Sequence, residues 1–313
     1  MENDTLPFYF TLFKDQGNLK YVYFLIVLIV YVAILFLNIS IILAVIKEKS
    51  LHEPMYIFIS CLAANALYGS TALFPRLSGD LLSDSHFISR TACFIQIFVI
   101  YSYGISEMTI LATMAYDRYA SICRPLHYHS IMTPRITALL ISGAFGWAFF
   151  WIGSVVVLVA RLPLCSRAIP RLYCSTWGVA RLSCVSTSSN NALGLFVASS
   201  SVFLPSGFIW YSYIRILSVC KKSSSEFRGK ALQTCLPHIV TFVTYSLAFY
   251  CDILLNRFEL NAIMNIVAVA FSLEFLFIPP LLNPLIYGLT LPEMRKKNPF
   301  LRYLPRAAMF SKQ

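Results

Sequence analysis

Seven apolar runs, each long enough to cross a lipid bilayer, restrict this chain more than anything else in its sequence. They lie near 21–46, 55–79, 92–122, 137–160, 191–219, 233–255 and 262–287. A hydrocarbon core about 30 Å thick takes roughly 20 apolar residues of helix. A segment in lipid must satisfy its own backbone N–H and C=O groups, which leaves helices or a closed barrel. Barrel strands would be short and would alternate in polarity, whereas these runs are long and uniformly apolar. The reading is therefore an all-α membrane protein, a seven-transmembrane-helix bundle. Charge agrees, since only 12% of the 313 residues are Asp, Glu, Lys or Arg against about 25% in a soluble domain.

The net charge of +11 would suggest nucleic acid in a soluble protein, but here its distribution speaks to orientation. With the N-terminus outside, the cytoplasmic face receives Lys47, Lys49, Arg118, Arg124, Arg135, Arg215, Lys221 and Lys222 together with the basic C-terminal tail. That asymmetry is the positive-inside pattern. The expectation is one domain over 1–313, with an extracellular tail (1–20), a bundle (21–287) and a cytoplasmic tail (288–313). No charged-then-apolar leader with a small-residue cleavage site opens the chain, so the first helix is expected to act as its own insertion signal. Asn3-Asp4-Thr5 is a glycosylation acceptor on the side expected to face the lumen. Thr290-Leu291-Pro292-Glu293 reads as a capping box opening a short eighth helix, whose Arg295, Lys296 and Lys297 suit an anionic leaflet.

Four of the nine cysteines, Cys93, Cys165, Cys174 and Cys184, fall on the expected outer side. An even number there allows two disulfides in three connectivities, and the spacings lack the C-x-x-C pattern of a zinc site. The other five read as small buried apolar residues, with Cys123 and Cys220 also placed for palmitoylation.

The third run closes on Met114-Ala115-Tyr116-Asp117-Arg118-Tyr119-Ala120-Ser121-Ile122-Cys123-Arg124-Pro125. A bilayer rejects an ionised pair unless it is paired or lies at the interface, so Asp117-Arg118 calls for a functional reason. Neighbouring helix residues do not face each other. Asp117 is therefore expected to steady Arg118 only loosely, which leaves the arginine free to change partner. Other signatures stand in order along the chain: Pro54-Met55-Tyr56, Trp147, Ser212-Tyr213, Lys230-Ala231-Leu232-Gln233-Thr234-Cys235-Leu236-Pro237-His238 and Pro279-Pro280-Leu281-Leu282-Asn283-Pro284-Leu285-Ile286-Tyr287. An Asn-Pro alone could be a kink whose freed carbonyl needs a polar neighbour. Together, over nearly the whole chain, these motifs resemble the odorant receptors of the rhodopsin-like G-protein-coupled family.

The resemblance implies a receptor and not an enzyme. It implies no cofactor, a small-molecule odorant, a stimulatory olfactory-type G protein, and residence in the plasma membrane as a multi-pass protein. It implies that Asp117, Arg118, Tyr119, Tyr213, His238, Asn283, Pro284 and Tyr287 form the coupling switch. It also implies that Cys93 pairs with Cys174 and Cys165 with Cys184. The family's acid in the second helix is replaced here by Ala66, preceded by Asn65. Glu107 is then the most deeply placed acid, and it either holds a sodium ion with Asn283 or is protonated and hydrogen-bonded. Helix one has Leu37-Asn38 where Gly-Asn is common. Tyr245-Ser246 stands one position early, which with Asn65 resembles the fish-type branch.

A ligand between helices is expected to meet Ile97, Ile100, Tyr101, Gly104 and Ile105, then Val197, Ala198 and Ser201. Further along it would meet Phe249, Ile253, Asn256 and Arg257, with Leu273 and Leu276 from the last helix. Plain core packing is the competing reading for each. Arg257 could grip an anionic ligand, snorkel to the interface or pair with Glu259. Ile100 stands where amine receptors carry an acid, while Asp252 and Glu274 keep an amine in play. A transporter would show internal repeats and broken helices, and neither is legible. Light sensing needs a Schiff-base lysine, which 262–287 lacks. A rhodopsin-like receptor for a non-odorant small molecule or peptide is the remaining alternative.

Overall fold

The computed structural model describes residues 7–12, 17–221, 224–255, 257 and 262–298. Asn3, Asn256 and Glu259 lie outside the described residues. Seven helices are long and apolar enough to span a membrane. They are α1 (Leu19–Lys47), α2 (Pro54–Leu82), α3 (Arg90–Cys123), α5 (Pro134–Ala160), α7 (Ser188–Lys221), α8 (Ser225–Leu255) and α9 (Ala262–Thr290). Short helices α4 (Tyr128–Ile131), α6 (Thr176–Ala180) and α10 (Pro292–Lys297) lie in the connections and after α9. Each long helix contains most of the apolar run read from the sequence.

Helix starts follow local chemistry. The Ser89 side chain accepts from Ala92 N at the head of α3 and Thr133 accepts from Ile136 N at the head of α5, each satisfying an orphan N–H. Prolines open α2 and α5 at the first turn, where the missing N–H is harmless. The capping box expected at 290–293 does not form. Thr290 ends α9, with its hydroxyl donating to Ile286 O at 2.6 Å, and α10 begins after Leu291 without a side-chain cap. Instead α10 is held by packing. Met294 is fully buried, Lys297 pairs with Glu48 at 3.0 Å, and Asn298 donates to Ser40 Oγ at 3.2 Å.

Prolines inside α9 leave carbonyls without their helical donors, and neighbours supply replacements. Pro284 cannot donate to Pro280 O, so Asn38 on α1 does, at 2.8 Å. Pro279 cannot donate to Phe275 O, and the Tyr103 hydroxyl on α3 takes its place at 3.3 Å. Asn38 is thus a structural tether between α1 and the proline-bent α9.

The central helix is α3, buried along nearly its whole length from Cys93 to Ala120 and packed against α2, α5, α7 and α8. At one end of the bundle lies a three-stranded sheet that the apolar periodicity did not foretell. β1 (Phe8–Phe10) is its middle strand, antiparallel to β2 (Phe87–Ile88) and parallel to β3 (Ala168–Ile169). Phe8, Phe10 and Ile169 are buried beneath it. Arg76 fastens it to α2 by bonding both oxygens of Asp80 and the carbonyl of Phe87, with its guanidinium 6.0 Å from the Phe10 ring.

Candidate functional site

The disulfides sit at the sheet-covered end. Cys93 is bonded to Cys174 and Cys165 to Cys184, as the family resemblance implied. The first bond fixes the α5–α7 loop over the top of α3. Gln96, one turn below Cys93, completes the attachment by accepting from Cys174 N at 3.0 Å and donating to Ala72 O at 3.0 Å. Tyr173 is thereby inserted into the bundle. Its hydroxyl donates to Asp252 Oδ1 at 3.1 Å, and Ser272 donates to the same oxygen. Asp252 on α8 is therefore a joint between the loop, α8 and α9.

Beside this joint is a cavity of about 40 Å³, room for a few waters at roughly 10–15 Å³ each. Of the residues expected to meet a ligand, Tyr101, Ile105, Val197, Ala198, Phe249, Ile253 and Arg257 line it. Ile97 and Ile100 are fully buried and, with Ser201, Leu273 and Leu276, do not line it. Gly104 serves it indirectly, because a Cβ there would lie 2.4 Å from a ring carbon of Phe249. Only glycine lets that ring reach the cavity wall. The lining also takes in Ile152 and Val155 of α5 and Thr176, Trp177 and Gly194, which the sequence reading missed. Trp177 was within reach of sequence reasoning, since it follows the loop cysteine Cys174 by three residues. The α5 pair was not, because the rotation of α5 is set by packing alone.

Arg257 is the charged member of the lining. Its Nη1 donates to Asn191 Oδ1 and its guanidinium lies 5.3 Å from the Trp177 ring. Gly194 leaves it room, for a Cβ there would come within 2.9 Å of Nη2. Among the described residues its Nε has no hydrogen-bond partner and no carboxylate pairs with it. Burial draws its pKa below the ordinary guanidinium value.

Below the cavity, polar contacts run through the bundle. The Tyr245 hydroxyl donates to Gly104 O at 3.1 Å, joining α8 to α3. One turn lower, Glu107 accepts from Asn65 Nδ2 at 2.8 Å and from Asn283 Nδ2 at 2.7 Å. The single carboxylate thus ties α2, α3 and α9 together. Amide donors thus face both of its oxygens. Among the described residues no group of three His, Cys, Asp or Glu could hold a metal.

At the far end of α3, Arg118 folds back on Asp117, donating to Oδ2 through Nε at 2.9 Å and through Nη2. The expectation of a loose pair is corrected here. The Cβ atoms of adjacent residues diverge, but a long guanidinium can reach around and place two donors on one carboxylate oxygen. Tyr213 on α7 bonds the ring of His238 on α8 through Nδ1. Tyr287 is buried. Tyr119 points elsewhere, with its ring 6.3 Å from that of Tyr211.

A family model described as olfactory receptor matches residues 27–299. Human Olfactory receptor 51I2 is 37% identical over 265 residues, covering 83% of each chain. Human Olfactory receptor 8H3 is 33% identical over 308 residues, covering 97% of each. The crystal structure of squid rhodopsin superposes with a TM-score of 0.72 over 91% of this chain and 86% of that one, at 19% identity, a likeness of fold. With the seven spans, the paired cysteines and the Asp117–Arg118 end all in place, this chain belongs to the olfactory receptor family, as a multi-pass, non-enzymatic signalling receptor of the rhodopsin-like fold.

Proposed function

We propose that the cavity between α3, α5, α7 and α8 receives a small odorant carrying a carboxylate or other acceptor oxygens, and that the opposite end activates a stimulatory, olfactory-type G protein. The observation that carries this reading is Arg257: a half-buried guanidinium whose Nε has no hydrogen-bond partner, on the wall of the chamber, without a carboxylate partner among the described residues. A cavity of about 40 Å³ is far below the roughly 300–1,000 Å³ of drug-sized ligand sites. Ligand entry therefore requires Phe249 and Trp177 to give way, which couples occupancy to the position of α8.

In this reading the N-terminus is extracellular, the receptor resides in the plasma membrane, and the Arg118 end faces the cytoplasm. Displacement of α8 at Arg257 breaks its contacts with α3 and α7 at Tyr245 and His238. That frees Arg118 and Tyr213 to form the cleft for the G protein, with Asn283, Pro284 and Tyr287 following through Glu107. Expressing the receptor and measuring cyclic AMP against a panel of small acids, amines and alcohols tests this. Acids should dominate the responses; a receptor at the surface that raises cyclic AMP with no member of the panel would refute it.

A further inference from the structure

A second cavity, of about 240 Å³, opens on the flank of the bundle between α3 and α7 near the Arg118 end. Two aromatic pairs form its wall. Tyr116 and Phe208 have ring centroids 6.0 Å apart, and one turn further Tyr119 and Tyr211 stand 6.3 Å apart. Ile131 closes one side and Arg124 stands at the foot. Phe208 and Tyr211 are 41% and 55% exposed, and on a membrane-spanning helix such exposure means contact with lipid. From Tyr116 to Arg124 is about 12 Å of helix at about 1.5 Å per residue. The aromatic wall therefore lies within the hydrocarbon and the arginine at its edge.

A second cation stands at the same level. Arg215 follows Tyr211 by four residues, so it shares that face of α7. Arg124 and Arg215 both lie close enough to Cys123 to act on its thiol. Arg76, Arg118 and Lys297 each hold a carboxylate. Arg124 and Arg215, both exposed, have no such partner among the described residues. An apolar, aromatic slot open to lipid and ending in two unneutralised guanidiniums is complementary to an acyl chain ending in a phosphate. Guanidinium forks match phosphate oxygens bidentately.

We propose that this groove binds an anionic phospholipid of the leaflet at the Arg118 end, with its acyl chain along the Tyr116–Phe208 and Tyr119–Tyr211 pairs and its phosphate between Arg124 and Arg215. The occupant is a membrane lipid and not a free phosphate ester, because the aromatic wall needs a chain to cover it. Such a lipid bridges α3 and α7 one residue from Arg118 on one helix and two from Tyr213 on the other.

The test uses the purified full chain in phosphatidylcholine nanodiscs doped with a photoreactive phosphatidylserine, its adducts mapped by mass spectrometry. Label should concentrate in the peptides carrying Tyr116–Arg124 and Phe208–Arg215. Arg124→Gln and Arg215→Gln should each lower it about fivefold, and the double variant about twenty-five-fold, from about 1 kcal/mol for each basic residue at an anionic surface. Excess soluble glycerophosphoserine should leave the label unchanged; competition by it would assign the groove to a free phosphate ester and overturn the proposal. Equal labelling by a photoreactive phosphatidylcholine, or label spread evenly over every helix end at that leaflet, would overturn it as well. Should the double variant fail to fold, the wild-type comparison of the two probes decides alone.

Discussion

The hydroxyl of Tyr128 donates to Asp117 Oδ1 at 2.7 Å while Arg118 occupies Oδ2. The carboxylate is fully buried, so each donor matters to the stability of this arrangement. Burial and the adjacent Asp117 charge hold the Tyr128 phenol well above its ordinary range. It therefore remains a neutral donor at any physiological pH. A hydrogen bond to a charged group contributes about 1.5–3 kcal/mol, and about 1.4 kcal/mol shifts a two-state equilibrium tenfold. Tyr128→Phe should therefore destabilise the resting arrangement and raise agonist-independent cyclic AMP at matched surface expression. Basal signalling at or below the wild-type level would show that this bond does not restrain the switch.

Arg118→Ala should abolish agonist-stimulated cyclic AMP with surface expression largely intact, because in the proposed switch the arginine serves the coupled state, and it is 18% exposed at the end of α3. Surface staining and cyclic AMP measured on the same cells decide it. A full response from a well-expressed variant would remove the coupling role assigned to this end of the bundle.

The two disulfides should differ in weight. Cys93–Cys174 closes a sequence separation of 81 and Cys165–Cys184 one of 19. In the chain-entropy account the longer loop is worth about 1 kcal/mol more, within a typical range of about 2–4 kcal/mol. It also carries Tyr173 to Asp252. Cys93→Ser or Cys174→Ser should therefore lose surface delivery, while Cys165→Ser retains part of it. Quantitative surface labelling checks the order, and mass mapping that found Cys93 and Cys174 as free thiols in mature protein would contradict the pairing.

Helix positions and the Asp117–Arg118 end were legible in the sequence because length and apolarity decide spans in lipid; the cysteine pairing came from the family resemblance, since the residues alone left three connectivities. The chamber was legible only on the faces of α3, α7 and α8 that share a periodicity with the motifs. Ile97 and Ile100 satisfy that periodicity yet pack into the core, since a helix buried all round offers no stripe to tell cavity from packing. Glu107 was visible as a misplaced acid. Its partners Asn65 and Asn283 were visible as polar residues, but the distances joining them depend on how α2 and α9 pack on α3. The sheet escaped because strands of two or three residues leave no period to read.

Asn38 and Pro284 should show energetic coupling. Asn38→Leu removes the side-chain donor to Pro280 O, and an unsatisfied buried carbonyl costs about 1–3 kcal/mol. Pro284→Ala restores the helical N–H, so the same Asn38→Leu change should cost less in that background. Thermal unfolding of the four purified receptors completes the cycle. Additive effects would mean that Asn38 does not replace the missing helical donor.

The last prediction concerns ligand charge at Arg257. In the resting chamber, among the described residues, this guanidinium meets the neutral Asn191 side chain and the Trp177 ring face. Neither neutralises it, and burial keeps water from doing so fully. A ligand carboxylate supplies the missing anion, in a charge-assisted bond worth about 1.5–3 kcal/mol. Arg257 stands two residues beyond the end of α8, the helix that carries Tyr245 and His238, so a carboxylate bridging it to Tyr101 on α3 draws that end inward. If α8 pivots, its opposite end moves away from Arg118, linking occupancy to coupling. Arg257→Ala should raise the half-maximal concentration of an acidic agonist at least tenfold, since about 1.4 kcal/mol is a factor of ten. A neutral agonist should change little, because it never used the charge. Concentration–response curves for one acid and one alcohol on both receptors separate the cases: equal losses for the two would mark Arg257 as a packing residue, and a broad panel without any acidic agonist would remove the ligand class altogether.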